Sequence, residues 1–361
     1  MREDAGDLSV NGRGSSIRPA NRFDAVQLDS ELEYLEHDLD AADGLRSVRT
    51  RYYPDASKSI VSENKSPDIY FNYSINPYRG CAHGCSYCYA RPSHEYLGMD
   101  GGLDFESKIL VKLDAANLLR DWLNRPSWSC EPIMFSGVTD CYQQAERKFQ
   151  LTRQCLEVAL EAQQPVEIIT KNALVTRDID LLAQLASMNL VRVAVSITSL
   201  DQTLTKQLEP RTSSPLARFE AIEQLTAAGV PAIVMVAPVI PGLNDSEVPA
   251  ILQRAADAGA VNASFVLLRL PLSVEPVFLD WLDRHEPLKK DKIVSLIRQT
   301  RDGQLYDSSF SQRMRGQGAI ADQISQAFKV FAAKHKLNKS TQLDCSLFRR
   351  PVSSSGQKRL F

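Results

Sequence analysis

The sequence lacks any run of about 20 apolar residues, which is the length that a membrane-spanning helix requires. Residues 1–15 are polar and mixed in charge, and they lack the apolar segment of a secretory signal. We therefore expect a cytoplasmic protein that does not insert into a membrane.

A strong net charge is also missing, because 42 Lys and Arg residues are balanced by 44 Asp and Glu residues. Non-specific binding to nucleic acid needs concentrated Lys and Arg. Composition alone therefore gives no reason to expect a nucleic-acid-binding protein, although local basic patches remain compatible with one. The 361 residues are 43% hydrophobic, which suffices for a large globular core with appendages.

Cysteines are few and odd in number, seven in all, and this does not indicate a disulfide framework. Three of them, Cys81, Cys85 and Cys88, form the pattern C-x3-C-x2-C. Three thiolates on one short loop can ligate three irons of a [4Fe–4S] cluster and leave the fourth iron open. Gly80 and Gly84 allow the tight backbone that such a loop needs.

A structural zinc site is the alternative explanation of these cysteines. It would take His83, His94 or a distant cysteine as its fourth ligand. Zinc sites usually draw on two ligand pairs, and the sequence has no second C-x2-C pair. The iron–sulfur interpretation is favoured. A non-catalytic iron–sulfur or zinc protein, which would use its fold for binding or assembly, stays open as the alternative to an enzyme.

From about residue 70 onward, short segments rich in Val and Ile alternate with helical patterns. The predicted strands are 70–76, 132–136, 166–170, 191–197, 232–237 and 261–268. One predicted helix begins at Ser214 and Pro215, and Leu216, Phe219, Ile222 and Leu225 recur along it at helical spacing. Another helix is predicted over about 145–162.

Six units of this kind predict an α/β fold with a parallel sheet and right-handed crossovers. We predict a partial (β/α)6 TIM-type barrel, with a doubly wound open sheet as the competing arrangement. The domain prediction is a partly flexible N-terminal extension over 1–66, a core domain over 67–270 and a mainly helical C-terminal segment over 271–361.

Polar residues follow the predicted strands, and in a parallel barrel these strand ends gather on the face where active sites are built. They are Thr139 and Asp140, Lys171 and Asn172, Ser196 and Thr198, and Arg269. The sequence therefore predicts that these groups converge on one site together with the cysteine loop.

The cysteine spacing, with an aromatic residue before Cys88, resembles the signature of the radical S-adenosylmethionine superfamily. Within it, residues 76–244 resemble the spore photoproduct lyase group over nearly half of the chain. The matching stretches are 85–89, 136–140, 169–171, 195–197, 208–214, 217–218 and 236–238. The ends of the chain, at 12–14 and 343–351, are similar to a photolyase-like bacterial subgroup.

This resemblance implies two cofactors, a [4Fe–4S] cluster and S-adenosyl-L-methionine, and a 5′-deoxyadenosyl radical that modifies an unidentified substrate. The residues that it implies for the S-adenosylmethionine pocket are Tyr87, Thr139, Asp140, Lys171, Ser196, Glu209, Arg218 and Ala237. It also implies a low-potential electron donor such as flavodoxin or ferredoxin, and it leaves nucleic acid open as a substrate.

One position departs from the photoproduct lyase pattern. Gly137 stands where that enzyme has the cysteine that donates hydrogen, so repair of a thymine photoproduct is not expected. Cys141 is either a replacement donor or a loop cysteine without a chemical role. Tyr89 matches a tyrosine that relays hydrogen in that enzyme, or it is a packing aromatic.

Overall fold

The computed structural model describes residues 12–22, 48–310, 312–339 and 342–351. The strands in this part of the chain are β1 (Arg51–Pro54), β2 (Val61–Glu63), β3 (Tyr73–Ile75), β4 (Tyr78–Arg79), β5 (Lys108–Val111), β6 (Ile133–Phe135), β7 (Val166–Thr170), β8 (Val191–Ser196), β9 (Ala232–Val239) and β10 (Asn262–Leu267). The helices are α1 (Leu103–Ser107), α2 (Ala115–Leu123), α3 (Ala145–Phe149), α4 (Leu151–Ala162), α5 (Ile179–Ser187), α6 (Gln202–Leu208), α7 (Pro215–Ala227), α8 (Val248–Asp257), α9 (Val274–His285), α10 (Lys290–Gln299), α11 (Gln312–Arg315) and α12 (Gly318–Lys334). Short 3-10 helices cover Arg91–Ser93, Glu95–Leu97, Ala173–Asp178 and Asp245–Glu247.

The main sheet has seven strands in the order β10-β9-β8-β7-β6-β3-β2. Strands β3 and β6 to β10 pair in parallel, and β2 is antiparallel at one edge. A doubly wound sheet reverses its strand order at a switch point, whereas each parallel strand here lies beside the next parallel strand of the chain. The predicted partial TIM-type barrel is therefore confirmed. The sheet does not close among the described residues.

All six predicted strands are present, most of them shorter than predicted. The prediction missed the strands that lie outside the β/α series. Strands β1, β5 and β4 form a separate three-stranded sheet in that order, and β2 adds to the main sheet. These strands are only two to four residues long, and pairing with distant segments, not a local pattern, stabilises them.

Helix α7 begins as the sequence predicted. The Ser214 hydroxyl accepts a hydrogen bond from the Ala217 amide at 3.3 Å, and Pro215 takes the first helical position. Phe219, Ile222 and Leu225 are buried against the sheet, but Leu216, which shares their spacing, lies exposed on the first turn of the helix.

The single helix predicted over 145–162 is wrong, because the chain breaks into α3 and α4 at Gln150, whose φ is +51°. The carboxylate of Glu146 accepts hydrogen bonds from the amides of Thr152, at 2.9 Å, and Arg153, at 3.3 Å. It thereby caps the start of α4, where amides have no intrahelical partner. This contact competes with a continuous helix.

The C-terminal segment is mainly helical, as predicted, and it packs on the open edges of the barrel. Arg313 of α11 forms an ion pair with Asp68, in the β2–β3 connection, at 2.6 Å. On α12, Phe328 packs against Phe265 of β10, with ring centroids 4.7 Å apart. No helix in the described part of the chain is long and apolar enough to cross a membrane.

Candidate active site at the strand ends

The cysteine loop follows β4 and turns tightly at its two glycines. Gly80 has a φ of +75° and Gly84 a φ of +66°, both in the left-handed region that favours glycine. The amide of Gly84 donates to the Cys81 carbonyl at 3.2 Å, and the amide of Cys88 donates to the Cys85 carbonyl at 3.3 Å. Two consecutive turns therefore fold the backbone between Cys81 and Cys88 into a compact loop that carries all three cysteines.

The three cysteine thiols are close enough to influence one another's pKa values. Burial, followed by the charges of Asp140 and Cys88, raises the pKa of Cys81. Burial also raises the pKa of Cys85, with smaller contributions from Glu209 and from the other two cysteines. Each pair of thiols thus interacts. No three His, Cys, Asp or Glu side chains in the described ranges gather closely enough to hold a lone metal ion.

Backbone amides point at two of the cysteine sulfurs. The amides of His83 and Asp140 donate to the sulfur of Cys81, and the amide of Ala90 donates to that of Cys88. Hydrogen bonds of this kind to cysteine sulfur tune iron–sulfur clusters. Three cysteines with amide donors directed at two of their sulfurs form a ligand set of the kind that an iron–sulfur cluster fits.

Arg91 is a fully buried cation that holds the loop in place. Its Nε and Nη2 donate to the Cys85 carbonyl at 3.1 and 2.9 Å, and its Nη1 reaches the carbonyls of Gly101 and Gly102 at 3.0 and 2.8 Å. Its Nη2 also pairs with Glu106 at 2.9 Å. A buried charge is tolerated when it is paired and hydrogen-bonded in this way. Nothing in the local sequence pattern indicates this role for Arg91.

Glu106 also binds part of the N-terminal extension against the cysteine loop. Its carboxylate accepts hydrogen bonds from the amides of Arg13 and Gly14. Gly14 lies so close to Gly84 that a Cβ on Gly14 would collide with the carbonyl oxygen of Gly84. Arg13 and Gly14 of the N-terminal extension are thus packed against the cysteine loop.

Lys171, directly after β7, is the central cation of the site. Its ammonium group donates to the hydroxyls of Ser196 and Thr198 at 2.8 and 3.2 Å and to the Ala237 carbonyl at 2.8 Å. It lies 5.6 Å from the centre of the Tyr87 ring. The ends of three neighbouring strands and the cysteine loop therefore meet at this side chain.

Glu209 is the buried anion that balances this cation. Its carboxylate lies 3.1 Å from the Lys171 ammonium, pairs with Arg218 and accepts hydrogen bonds from the hydroxyls of Tyr87 and Thr198. Burial alone would raise the pKa of Glu209, but Arg218, Lys171 and these hydrogen bonds hold it well below its ordinary value. Glu209 is thus ionised at neutral pH.

Asp140 joins the ends of β6 and β7. It accepts hydrogen bonds from the Thr170 hydroxyl at 2.8 Å and from the Lys171 amide at 2.7 Å, and it lies 3.5 Å from the His83 ring. Its neighbour Thr139 is buried and donates from its hydroxyl to the backbone of β4. Both predicted residues therefore lie at the strand ends.

Gly137 lies at the rim of the site, where the neighbouring residues leave little room for a side chain. A Cβ at this position would lie 2.7 Å from both Cβ and Oγ of Ser74. The Tyr89 hydroxyl donates to the Gly137 carbonyl at 3.0 Å, and Tyr89 is 48% exposed. Tyr89 is therefore accessible beside the position where the lyase pattern has a cysteine.

Cys141 has a different environment. It is fully buried in the main core, where its thiol interacts with the hydroxyls of Ser136 and Thr152. The structure thus brings Tyr89, but not the Cys141 thiol, to an accessible surface beside the cysteine loop.

Two amide side chains that sequence analysis did not assign also order the site. The Asn76 side chain accepts hydrogen bonds from the amides of Val138 and Thr139. The Gln143 side chain accepts from the Ala82 amide at 2.9 Å and donates to the Gly80 carbonyl at 3.0 Å. Asn76 lies five residues before Cys81 in the sequence, but nothing in the sequence shows its partners.

A sequence profile described as the Radical SAM superfamily matches residues 75–255, which is half of the chain. The chain belongs to this superfamily. An uncharacterised protein of Mycobacterium tuberculosis is 38% identical to it over 258 residues, covering 70% of this chain and 75% of the relative. An uncharacterised protein of Methanocaldococcus jannaschii is 30% identical over 191 residues, covering 53% of this chain and 68% of the relative.

Solved structures of spore photoproduct lyase resemble this radical SAM protein in fold. The lyase complexed with dinucleoside spore photoproduct has a TM-score of 0.54 at 16% identity, and the match covers 79% of each chain. A lyase mutant with bound AdoMet and the same photoproduct has a TM-score of 0.53 at 16% identity, covering 79% of this chain and 78% of the lyase. At this identity the likeness shows a shared fold.

Proposed function

We propose that this radical SAM protein is an enzyme that cleaves S-adenosylmethionine reductively on a [4Fe–4S] cluster and uses the product radical to modify its substrate. The observation that carries the proposal is the position of the cysteine loop beside the charged Lys171–Glu209 site. Both charges act on the Cys85 thiol, and the Ser86 amide donates to the Leu208 carbonyl at 3.0 Å.

Cys81, Cys85 and Cys88 are the proposed cluster ligands. Two observations support these residues as ligands. The three thiols lie close to one another, and backbone amides donate hydrogen bonds to two of the sulfurs. Three ligands leave one iron for the amino and carboxylate groups of S-adenosylmethionine. When bound to a reduced cluster, that cofactor supplies a 5′-deoxyadenosyl radical, which can take hydrogen from an unactivated carbon.

The chain's own residues would position S-adenosylmethionine. The proposed pocket consists of Tyr87, Lys171, Ser196 and Ala237 along its walls, Thr139 and Asp140 at the methionine amino end, and Glu209 and Arg218 at its edge. Because Lys171 donates to Ser196, Thr198 and Ala237 and pairs with Glu209, it would fix the strand ends that form the pocket walls before the cofactor binds.

Of the two predicted hydrogen donors, Tyr89 is the better placed, because it is exposed beside Gly137 while the Cys141 thiol is enclosed by the core. Tyr89 is therefore the proposed hydrogen relay. Cys141 stays a second proposal that requires its thiol to become accessible. A low-potential donor such as flavodoxin or ferredoxin would deliver the electron, and nucleic acid remains one substrate class to test.

The test is anaerobic reconstitution with iron and sulfide, followed by electron paramagnetic resonance of the reduced protein with and without S-adenosylmethionine. We expect a [4Fe–4S]⁺ signal that changes on addition of S-adenosylmethionine, together with formation of 5′-deoxyadenosine. The Cys85→Ala variant should lose both, whereas Cys345→Ala, distant in sequence from the loop, should retain both. Stoichiometric zinc without iron or sulfide, or a cluster indifferent to S-adenosylmethionine, would instead identify a non-catalytic protein.

A further inference from the structure

Two arginines at the end of the barrel have no carboxylate partner among the described residues. Arg269 follows β10 directly, and its Nη1 contacts only a soft acceptor, the sulfur of Met314, at 3.3 Å. Arg301, after α10, donates to the backbone carbonyls of Gln312 and Leu268 at 2.7 and 2.8 Å. In both arginines the Nε is buried and has no hydrogen-bond partner.

The positive charge of this pair is only partly offset, by Asp307, which acts on Arg301 without forming an ion pair with it. Arg301 is 1% exposed, and a buried charge without a counterion is unfavourable. Burial, followed by the charge of Arg269, lowers the pKa of Arg301. The two guanidinium groups therefore repel each other. An anion bound at Arg269 would relieve this repulsion.

Arg269 faces the proposed reaction centre. Its guanidinium carbon lies 5.6 Å from the centre of the Tyr89 ring. Tyr89 follows Cys88 directly and donates to the Gly137 carbonyl. Arg269 is half-buried, so an external ligand can reach it. An anion held here would lie next to the cysteine loop on the side of Tyr89.

A cavity of about 560 Å³ that Arg301 also lines is less suited to an anion. Asp302 and Asp307 are among its lining residues, and Arg269 is not. The Asp307 carboxylate accepts a hydrogen bond from the Ser309 amide at 2.7 Å, and its charge acts on Arg301 from beyond ion-pair distance. These negative charges favour binding on the Arg269 side, where the described residues supply no carboxylate.

We propose that Arg269, with the charge of Arg301 behind it, binds an oxyanion of the substrate, a phosphate or a carboxylate, at the mouth of the barrel. This inference rests on the proposed function, because it assigns a substrate class to the same site. A guanidinium group binds both oxyanions through paired hydrogen bonds, and it stacks on aromatic rings. Such an anchor, remote from the reacting carbon, would orient the substrate toward the radical.

The test is a calorimetric titration of the reconstituted full-length protein with inorganic phosphate and, in a separate arm, with acetate. We expect one of these anions to bind and the dissociation constant to rise about 10-fold or more in Arg269→Gln, because charge-assisted hydrogen bonds are lost. Arg269→Lys, which keeps the charge, should show a smaller rise. Arg254→Gln is the matched control, since Arg254 also lies over an aromatic ring, that of Phe219, at 4.5 Å.

A second measurement does not depend on variants. The bound anion should slow the modification of Arg269 by phenylglyoxal in the wild-type protein, as read by peptide mass spectrometry. Binding of neither anion, equal affinity in Arg269→Gln, or no protection of Arg269 would overturn the proposal. Formation of 5′-deoxyadenosine without added anion is measured separately. A protein that forms it but binds no anion disproves this subsite alone, whereas anion binding without it disproves the proposed function alone.

Discussion

The ammonium group of Lys171 lies 3.1 Å from the carboxylate of Glu209, although the two residues belong to different β/α units. Each group has further partners, so that the site is rigid: Lys171 is held by strand ends β8 and β9 and Glu209 by Arg218. Removing one partner of such a buried ion pair strongly destabilises the fold, because the other charge is left buried without a counterion. Two predictions follow from the two ends of this pair.

Replacing Lys171 by Ala should weaken binding of S-adenosylmethionine by about 10-fold or more, because the strand ends and the Glu209 carboxylate that form the proposed pocket lose the cation that holds them together. Iron and sulfide content should stay at the wild-type level, since Lys171 is not a cluster ligand. Equilibrium dialysis and metal analysis measure the two quantities. Lys206→Ala, on the exposed side of α6, is the control, and unchanged affinity in Lys171→Ala would remove this residue from the pocket.

Replacing Glu209 by Gln should lower the free energy of unfolding by about 3–5 kcal/mol, because Arg218 and Lys171 lose their counterion in a buried site. Urea unfolding measures the change. The control is Glu161→Gln, which breaks a more exposed ion pair with Arg120, 2.7 Å long, and should cost about 1 kcal/mol or less. Equal effects of the two substitutions would show that the Glu209 network contributes little to stability.

The sequence was sufficient to predict the cysteine loop and the polar strand ends because both follow from local patterns. The spacing of Cys81, Cys85 and Cys88 is contiguous, and the residues at strand ends become neighbours once a parallel sheet is assumed. The cap that Glu146 gives to α4 and the pairing of β1 with β5 depend on contacts that no local pattern encodes. The same reason explains why the role of Arg91 was missed.

Arg91 offers a test of how the loop is positioned. Arg91→Met should lower the iron and sulfide content of the reconstituted protein, because the Cys85 carbonyl and Glu106 lose their buried partner. We also expect a loss of about 3–5 kcal/mol in unfolding free energy. Arg91→Lys should restore the charge but not the several hydrogen bonds, and so should be intermediate. Full cluster content in Arg91→Met would mean that the loop is positioned without this residue.

The pH dependence of stability should report on His94. This side chain is fully buried, its Nε2 lies 3.0 Å from the Lys108 carbonyl, and burial lowers its pKa to about 4. The unfolded chain, with a pKa near 6.5, binds the proton more readily than the folded chain. The contribution of His94 is therefore fully present above about pH 6.5 and is lost as the pH falls toward 4, by about 3 kcal/mol in total.

Urea unfolding at several pH values between about 7 and 4.5 measures this loss as the slope of the unfolding free energy against pH. The slope should be shallower in His94→Gln, which cannot take up the proton. His335→Gln, at the end of α12, serves as the control for removing a histidine elsewhere. Identical slopes in the wild type and His94→Gln would show that other groups cause the acid sensitivity.

Gly137 and Ser74 form a packing constraint on the rim of the site. Because a Cβ on Gly137 would lie 2.7 Å from Cβ and Oγ of Ser74, Gly137→Cys should lower the unfolding free energy by about 1–3 kcal/mol. Ser74→Gly removes the obstructing atoms. In the double variant we expect part of the loss to be recovered, with a coupling energy of about 1 kcal/mol or more.

A double-mutant cycle by urea unfolding measures this coupling from the wild type, the two single variants and the double variant. Positive coupling would mean that a cysteine at position 137 needs a smaller residue at position 74, so that the photoproduct lyase pattern cannot be restored here by one substitution. Additive effects would mean that Ser74 yields easily and does not constrain the position.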